Sequence, residues 1–378
     1  MKNKLTNPFV ISGYQGPDYF CNREKETSRL LKAISSRRNI TLISLRRMGK
    51  TGLLKHTAAM IETKKKPVTV IYADLLSTMN GNEMLNILSS ALLRIKRDEK
   101  KFLEKALGVM ANLRPRLSYD VLTGLPSVEL KVDTPSDIQY GFDHLMLFIS
   151  KIKQDIVFVL DEFQQISNYP EKNIEQMLRT VIQSYPNIPF VFSGSSKHML
   201  EPMFKAANRP FYQSSELMYL EKIDEKDYRQ FIIDLFGSGK KKIKEETLSK
   251  ILSWTRLHTF YVQYICNLLY ETGEKLIENN HANMIFHQTL NSFEPLFTGY
   301  RNLLPAHQFK LLQGIAAEGG VSQPNSSGFI KKYNLTTASS VATSLKALAG
   351  KEMIVFDGNQ WLVYDVFFSR WLEYHYSH

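Results

Sequence analysis

The feature that most constrains this 378-residue chain is the stretch Ile40–Leu53, which reads ITLISLRRMGKTGL. A short apolar run passes into a polar turn, then into Gly49-Lys50-Thr51 and a helical continuation. This order of strand, loop and helix is typical of a phosphate-binding loop. The amides and the dipole at the start of a helix both favour an anion. The stretch therefore predicts a polyphosphate site between a strand and a helix.

Each residue type in this loop has its own predicted role. Gly49 lets the backbone approach a phosphate closely, because a Cβ there would collide with it. Lys50 is predicted to reach the β- and γ-phosphates, and the Thr51 hydroxyl is a predicted Mg²⁺ ligand. The predicted nucleotide-binding residues of the loop and first helical turn are Ser44, Leu45, Arg46, Arg47, Met48, Gly49, Lys50, Thr51 and Gly52.

The loop departs from the usual pattern at its first position, where Ser44 replaces a glycine. Serine makes such a turn less freely than glycine does. The alternative interpretation is a chance Gly-Lys-Thr in a basic helix. The order of strand, loop and helix argues against that alternative.

A second motif, Ile156–Gln165, reads IVFVLDEFQQ. Its continuous apolar run is typical of a strand buried on both faces in a parallel sheet. Two adjacent carboxylates follow at the carboxyl end of the strand, where α/β sheets bind ligands. Asp161 is predicted to hold the Mg²⁺ shell, and Glu162 to orient and polarise the attacking water. The alternative is an Asp-Glu pair that caps the next helix.

Three further stretches complete a predicted sheet of five strands: Val68–Asp74, Phe190–Phe192 and Leu217–Leu220. Phe190–Phe192 ends in Ser193-Gly194-Ser195-Ser196. A polar residue there could touch the γ-phosphate or the water, and Ser195 is the first choice, followed by Ser193. A plain turn serine is the alternative, since Ser-Gly is a common turn sequence.

Composition indicates a soluble globular protein, with 43% hydrophobic and 11% aromatic residues. No apolar run approaches the ~20 residues needed to cross a bilayer, so no membrane partner is expected. The amino terminus lacks a signal-peptide pattern. The two cysteines, Cys21 and Cys266, show no metal-ligand spacing. A cytoplasmic location is the expectation.

The net charge of +11 is concentrated in one part of the chain. Residues 1–120 contain 23 Lys and Arg against 10 Asp and Glu, whereas the remainder contains 25 against 27. The excess surrounds the phosphate loop and continues through Lys64-Lys65-Lys66 and the stretch 94–105. This distribution favours a polyphosphate site with a basic surface beside it, and it is weak evidence for DNA.

The pattern predicts three domains: an α/β core over 1–222, a helical lid domain over 223–303 and a winged-helix domain over 304–378. Within the core, residues 113–137 look like an extended insertion or β-hairpin, either a projecting loop or a solvated spacer. Three helices followed by a hairpin predict the winged helix. Residues 301–378 carry seven basic and five acidic residues, so a packing and switching role is favoured over DNA reading.

The segment before the first helix contains Tyr14, Tyr19 and Phe20, followed by Arg23. Aromatic rings with an arginine could frame a purine base, which needs a flat apolar slot. Alternatively, the aromatic rings pin this arm to the core. Both interpretations fit the sequence, and Arg23 is a predicted cofactor-binding residue.

Together these pieces resemble one family, the archaeal-type AAA+-like P-loop ATPases related to the STAND signalling ATPases, with a C-terminal winged helix. The stretches that carry the resemblance are Pro8-Phe9, FCNRE, LRRMGKTGLL, VFVLDEFQ, FVFSGSS and VYDVFFSRWL. It implies a three-layer P-loop NTPase core of about five mainly parallel strands, with Walker A and Walker B motifs. The candidates for an arginine contact to the γ-phosphate are Arg209, Arg46 and Arg47.

The function that this resemblance implies is a slow, Mg²⁺-dependent ATPase that works as a molecular switch. Its cofactors would be ATP and Mg²⁺, with Glu162, Lys50, Ser195 and Arg209 in catalytic roles. A protein partner is expected, and an oligomer is compatible with this function. The alternatives are a nucleotide-regulated DNA-binding protein that acts through the winged helix, and a nucleotide-stabilised scaffold with little hydrolysis.

Overall fold

The computed structural model describes residues 5–63, 67–95, 99–119, 121, 124–132 and 134–376. The basic run Lys64-Lys65-Lys66 and part of the 94–105 stretch lie outside these residues. The chain divides into two compact units, residues 12–223 and residues 224–376 together with 5–11. The predicted core domain covers residues 1–222, so the two divisions assign residues 5–11 differently. Among the described residues, no helix has the length and apolarity needed to cross a membrane.

The first unit alternates helices and strands. Its elements are α1 (Glu24–Ser35), β1 (Ile40–Ile43), α2 (Lys50–Glu62), β2 (Thr69–Asp74), α3 (Gly81–Ile95), α4 (Lys100–Val109), β3 (Arg116–Tyr119), β4 (Pro126–Glu129), α5 (Pro135–Ser150), β5 (Ile156–Asp161), α6 (Ile174–Ser184), β6 (Phe190–Gly194), α7 (Lys197–Lys205) and β7 (Glu216–Tyr219). Short 3₁₀ helices occupy Pro17–Tyr19, Ala111–Leu113 and Phe163–Asn168.

Five strands form one parallel sheet in the order β2-β5-β6-β1-β7. This confirms the predicted α/β fold class and its five strands. The connection that leaves β1 runs towards β2 at one edge of the sheet, whereas the connection that leaves its neighbour β6 runs towards β7 at the other edge. Ligands of open α/β sheets bind at such a point, outside the carboxyl ends of the strands.

Alternation along β5 shows why the sheet is buried on both faces. Val157 and Val159 pack in a cluster with residues of α1 and α2, such as Leu30 and Leu53. Phe158 and its neighbour Leu160 belong to the opposite cluster, which contains residues of α3, α5 and α6. Successive side chains of a strand point to opposite faces, so a continuous apolar run requires a cover on each side. The unit is therefore a three-layer sandwich.

The predicted insertion contains an antiparallel hairpin of β3 and β4. Val128 and Leu130 are buried in the core, and the Val128 amide donates to Ser90 Oγ on α3 at 2.9 Å. All four residues of β3 are exposed. Residues 120, 122, 123 and 133 of the insertion lie outside the described part. One strand thus completes the core and is more than a solvated spacer, while the other faces solvent.

The second unit is mainly helical. Its elements are α8 (Glu225–Ser238), β8 (Lys242–Ile243), α9 (Glu245–Trp254), α10 (Thr259–Glu271), β9 (Leu276–Ile277), α11 (Asn279–Leu303), α12 (Ala306–Ala317), α13 (Ser327–Lys332), α14 (Ala338–Gly350), β10 (Ile354–Asp357), β11 (Gln360–Val363) and α15 (Val366–Tyr376). The proposed boundary at residues 303 and 304 falls between α11 and α12.

The amino-terminal arm packs within this second unit. Phe9 is fully buried, with its ring centroid 4.7 Å from that of Phe236 and 6.0 Å from that of Tyr270. Asn267 Nδ2 donates to the Phe9 carbonyl at 2.7 Å, and Asn7 Nδ2 donates to the Asn267 carbonyl at 3.0 Å. A buried aromatic ring and paired amides hold the arm in place, although it is remote in sequence.

The winged helix is present as three helices followed by a hairpin, α12 to α14 with β10 and β11. In α14, Val341, Leu345 and Leu348 are buried and Lys346 is exposed. Two lysines of this region have partners within the domain. Lys332 pairs with Glu318, and Lys351 donates to Gln308 Oε1 at 3.3 Å. Glu318 compensates the charge of Lys332, whereas Lys351 keeps its charge beside a neutral amide.

Candidate functional site

The candidate site lies at the carboxyl edge of the sheet, where β1, β5 and β6 end. The loop after β1 leads into α2, whose N-cap is Gly49 with φ 90°. Asp161 is the last residue of β5, and Ser193 and Gly194 end β6. Parallel strands bring their carboxyl ends to one edge, so residues far apart in the sequence meet here.

Lys50 is the cation at the centre of the site. Its side chain is 6% exposed, and Nζ lies 2.7 Å from Asp161 Oδ1 and 2.7 Å from Glu162 Oε1. A buried ammonium needs compensating charge, because moving an ion out of water costs roughly several kcal/mol. One lysine thus neutralises two carboxylates in this arrangement.

Asp161 accepts hydrogen bonds from three hydroxyl groups in addition to Lys50. Thr51 Oγ1 donates to Oδ2 at 3.1 Å, and the Tyr72 phenol donates to the same oxygen at 2.7 Å. Ser193 Oγ donates to Oδ1 at 2.5 Å. The carboxylate is 2% exposed, so these donors replace its hydration.

Glu162 follows with a backbone in the left-handed region, φ 53°. Its Oε2 accepts from Ser195 Oγ at 2.8 Å, from the Ser195 amide at 3.3 Å and from Gln164 Nε2 at 2.6 Å. Glu162 precedes the 3₁₀ helix Phe163–Asn168, but its side chain makes no capping hydrogen bond there. The helix-capping alternative is therefore not what the structure shows for Glu162.

The loop backbone explains the serine at the first glycine position. Left-handed φ values occur at Arg47, with φ 64°, and at Gly49, whereas Ser44 has none. Ser44 is 4% exposed; its amide donates to the Gly194 carbonyl at 3.3 Å and its Oγ to the Leu45 carbonyl at 3.0 Å. The turn at this position does not require glycine in this chain.

The charges of the site act on each other's pKa values. Burial alone would raise the pKa of Asp161, but the Lys50 ammonium and hydrogen bonds from Ser193 and Tyr72 hold it below its ordinary value. The same balance between burial and Lys50 lowers the pKa of Glu162. The pKa of Tyr72 is raised by burial and by the adjacent Asp161 charge. Both acids are therefore ionised at neutral pH and the phenol keeps its proton.

Replacing Tyr72 by phenylalanine should test how firmly Asp161 is held. Loss of a hydrogen bond to a buried carboxylate is expected to lower the free energy of unfolding by about 1.5–3 kcal/mol. Denaturant titration of both proteins measures this difference. Tyr119→Phe is the matched control, because Tyr119 is 57% exposed on β3 and its loss should change stability little. Equal stability of Tyr72→Phe and the parent would contradict the assignment.

The four predicted arginine residues lie in different surroundings. Arg209 binds Glu175 through both nitrogens of one edge, with Nε to Oε2 at 3.1 Å, so it is not brought together with Lys50. Arg46 is exposed, with Nε 3.4 Å from Ser195 Oγ, and Arg47 is also exposed.

Arg23 is 5% exposed, and its Nη1 pairs with Glu26 at 2.8 Å. Arg23 Nη2 is buried without a hydrogen-bond partner among the described residues.

The aromatic segment before α1 packs against α2. The ring of Phe20 stacks on His56 with centroids 4.4 Å apart, and the Tyr14 hydroxyl lies 2.8 Å from His56 Nδ1. A Cβ at Gly52 would lie 3.4 Å from the Phe20 ring. These contacts favour the alternative in which the aromatic rings pin the segment before α1 to the core.

Sequence reasoning missed Tyr72, Gln164 and Asp74. Tyr72 and Asp74 point to the same side of β2, and Asp74 is the register partner of Asp161. Burial raises the pKa of Asp74, and the charges of Asp161 and Glu162 add to the rise. Polar residues inside the apolar stretch Val68–Asp74 were the available signal. Only the pairing of β2 with β5 shows that they lie beside Asp161.

Comparison with known sequences identifies the family. The sequence profile described as an ATPase domain predominantly from Archaea matches residues 20–257, well over half of the chain. The chain belongs to this ATPase family. A second profile, described as a probable winged helix domain, matches residues 295–374 of this family member. Comparison with curated proteins found no match.

Solved structures share the fold of this archaeal-type ATPase at low sequence identity. The Walker-type ATPase of Pyrococcus abyssi is 14% identical, with a TM-score of 0.66, over 97% of this chain and 99% of that chain. The ORC2 protein of Aeropyrum pernix, solved as ADPNP-ADP complexes, is 12% identical, with a TM-score of 0.61, over 98% and 96%. The ORC1 protein of the same organism, solved in complex with DNA, is 14% identical, with a TM-score of 0.55, over 98% and 97%.

Proposed function

We propose that this chain binds ATP with Mg²⁺, hydrolyses it slowly, and uses its nucleotide state as a molecular switch. The observation that carries the proposal is the buried cluster in which Lys50 bridges Asp161 and Glu162, with Thr51 against Asp161. A lysine and a hydroxyl at a helix N-terminus, facing two carboxylates, are the groups that phosphoryl transfer from a nucleotide requires. Membership of an ATPase family supports the same conclusion.

Nucleotide binding would change the partners of Lys50. Its Nζ is shared by two carboxylates, and the phosphates of ATP offer several anionic oxygens to the same ammonium. The backbone amides of residues 44–52 would surround the phosphates at the start of α2. Lys50 would thus move its hydrogen bonds from the carboxylates to the β- and γ-phosphates, which releases one oxygen of Glu162.

The donors beside Lys50 fit a magnesium ion. Mg²⁺ prefers oxygen ligands and is held by one or two protein groups together with substrate phosphates. Thr51 Oγ1 and Asp161 Oδ2 lie 3.1 Å apart, and we assign the ion to these two residues. When bound, it would neutralise negative charge on the phosphates. Tyr72 and Ser193 would keep the Asp161 carboxylate in place.

Hydrolysis requires a water aligned with the bond between the γ-phosphorus and the β–γ bridging oxygen. We assign the orienting and polarising role to Glu162, which is ionised and is freed by the movement of Lys50. The water oxygen forms a bond to phosphorus as the bond to ADP breaks, and a water proton passes to the phosphate or to Glu162. Ser195, bonded to Glu162 Oε2, would hold that side chain or touch the γ-phosphate.

Arginine contacts to the nucleotide remain part of the proposal. Arg46 and Arg47 are exposed beside the loop, and the unsatisfied Nη2 of Arg23 supports a role for this guanidinium in nucleotide binding. Arg209 would have to leave Glu175 before it could contact a phosphate. An arginine that contacts the γ-phosphate raises kcat about 10³-fold or more.

We further propose that the helical and winged-helix regions report the nucleotide state to a protein partner. The outward face of α14 is poor in basic residues, and two lysines of the winged helix have partners inside the domain. Recognition of DNA depends on arginine and lysine contacts to phosphates and bases. The charge of this domain therefore favours a protein partner over a duplex.

Phosphate release with and without Mg²⁺ tests the proposal directly. The purified protein should release phosphate from ATP in the presence of Mg²⁺. Excess EDTA should reduce the rate to the buffer background, and added Mg²⁺ should restore it, because metal-free phosphates keep their charge. Release that persists in EDTA would contradict the metal assignment. Stabilisation by ATP and ADP alike without phosphate release would instead favour the scaffold alternative.

A further inference from the structure

Gln164 is a buried amide directly behind the proposed catalytic carboxylate. Its side chain is 5% exposed, and Nε2 donates to Glu162 Oε2 at 2.6 Å. The left-handed backbone of Glu162 and the following 3₁₀ turn bring both side chains to the same side of the chain. The amide therefore contacts the reacting site through Glu162.

The space that Gln164 occupies exists because residue 194 is glycine. A Cβ on Gly194 would lie 2.0 Å from Gln164 Oε1 and 3.1 Å from its amide carbon. The first distance is shorter than real Cβ contacts and the second is tight, so a larger residue at position 194 would displace the amide. The end of β6 is thus shaped to admit this side chain.

The Gln164 amide would be energetically costly if its only role were to fill space. Gln164 Oε1 is buried and has no hydrogen-bond partner among the described residues. An unsatisfied buried acceptor costs about 1–3 kcal/mol, which an apolar side chain of similar size would avoid. The neighbouring Gln165 differs, because its Nε2 donates to the Thr78 carbonyl at 3.0 Å and its Oε1 accepts from Asn168. Both polar atoms of the Gln165 side chain thus have hydrogen-bond partners, as expected of a structural residue. In Gln164, only the donor has a partner among the described residues.

The two oxygens of Glu162 have different partners. Lys50 binds Oε1, while Gln164 and Ser195 bind Oε2. Phosphates would compete for Lys50 but not for the Gln164 amide, which is buried against the carboxylate. Once Lys50 turns to the nucleotide, Oε1 becomes available to a water and Oε2 stays fixed.

We infer that Gln164 is a positioning residue, which clamps Glu162 Oε2 so that Oε1 faces the attacking water. This inference rests on the proposed hydrolytic function of Glu162. Gln164 and Ser195 then hold the carboxylate in the nucleotide-bound state, when its contact with Lys50 is lost. Gly194 supports this arrangement by leaving room for the amide.

Gln164→Met tests the inference, because methionine is of similar size but cannot donate a hydrogen bond. The expected result is an about 10- to 100-fold lower kcat, with ATP affinity within about twofold of the parent and a Tm close to the parental value. Removing the unsatisfied oxygen offsets the loss of the hydrogen bond to Glu162, so the Tm should change little. Gln165→Met is the matched control and should lower Tm while kcat stays near the parental value. Should Gln164→Met fail to fold, Gln164→Asn replaces it, since the shorter amide cannot reach Glu162.

The effect should also depend on Glu162. Single-turnover measurements of Glu162→Gln alone and combined with Gln164→Met should give the same residual rate, because a clamp without its carboxylate has no effect. A parental kcat in Gln164→Met, or equal losses in both backgrounds, would overturn the inference while leaving the proposed ATPase intact. A parent protein that releases no phosphate would overturn both.

Discussion

Replacing Lys50 by alanine is expected to abolish ATP binding. The Lys50 side chain is 6% exposed and lies at the N-terminus of α2, where the phosphates would bind. Loss of charged hydrogen bonds worth about 3 kcal/mol or more corresponds to at least a ~100-fold weaker affinity. Titration with a fluorescent ATP analogue measures this change.

The same substitution should also destabilise the protein without nucleotide. Asp161 and Glu162 would face each other without a counter-ion, and breaking a buried ion pair costs about 3–5 kcal/mol. Denaturant titration should therefore show a loss that Lys55→Ala, at an exposed position of the same helix, does not share. ATP binding by Lys50→Ala at the parental affinity would rule out the proposed phosphate site.

Glu162→Gln is expected to bind ATP and fail to turn it over. The substitution keeps the size of the side chain but removes the charge that would polarise the water. Loss of a positioned general base lowers rates by about 10²- to 10⁴-fold. Phosphate release and ATP affinity, measured on the same preparation, separate the chemical step from binding.

Glu62→Gln is the matched control, because Glu62 is exposed at the end of α2 and should not influence the rate. Hydrolysis by Glu162→Gln at the parental rate would remove Glu162 from the mechanism. The variant also retains ATP if the proposal is correct. Used as bait with ATP, it should then capture the protein partner that reads the ATP-bound state.

Local patterns were sufficient for the elements of the core. The run Ile156–Asp161 could be recognised as a buried parallel strand because both of its faces are apolar, and its position in the sheet confirms this. Gly49-Lys50-Thr51 could be placed at the start of a helix, because loop and helix signals follow a strand. Lys50, Thr51, Asp161 and Glu162 were selected on those grounds, and their side chains do meet.

Local sequence patterns did not predict contacts between residues that are far apart in the chain. Arg209 was a candidate for a phosphate contact, but packing puts it against Glu175, a pairing that no spacing rule predicts. Phe9 joins helices more than 200 residues further along the chain. The aromatic rings of Tyr14 and Phe20 contact His56, which belongs to no motif of the sequence.

The sequence by itself determined which chemistry this protein can carry: a phosphate loop, two acids at a strand end and a winged helix. These follow from hydrophobic periodicity and from residue types that are close together in the chain. The tertiary structure alone decided which neutral groups hold the acids. Tyr72, Ser193 and Gln164 reach Asp161 or Glu162 because parallel strands align at one edge and because Glu162 adopts a left-handed backbone. Contacts of this kind depend on register and packing between distant segments, and short stretches of sequence do not encode them.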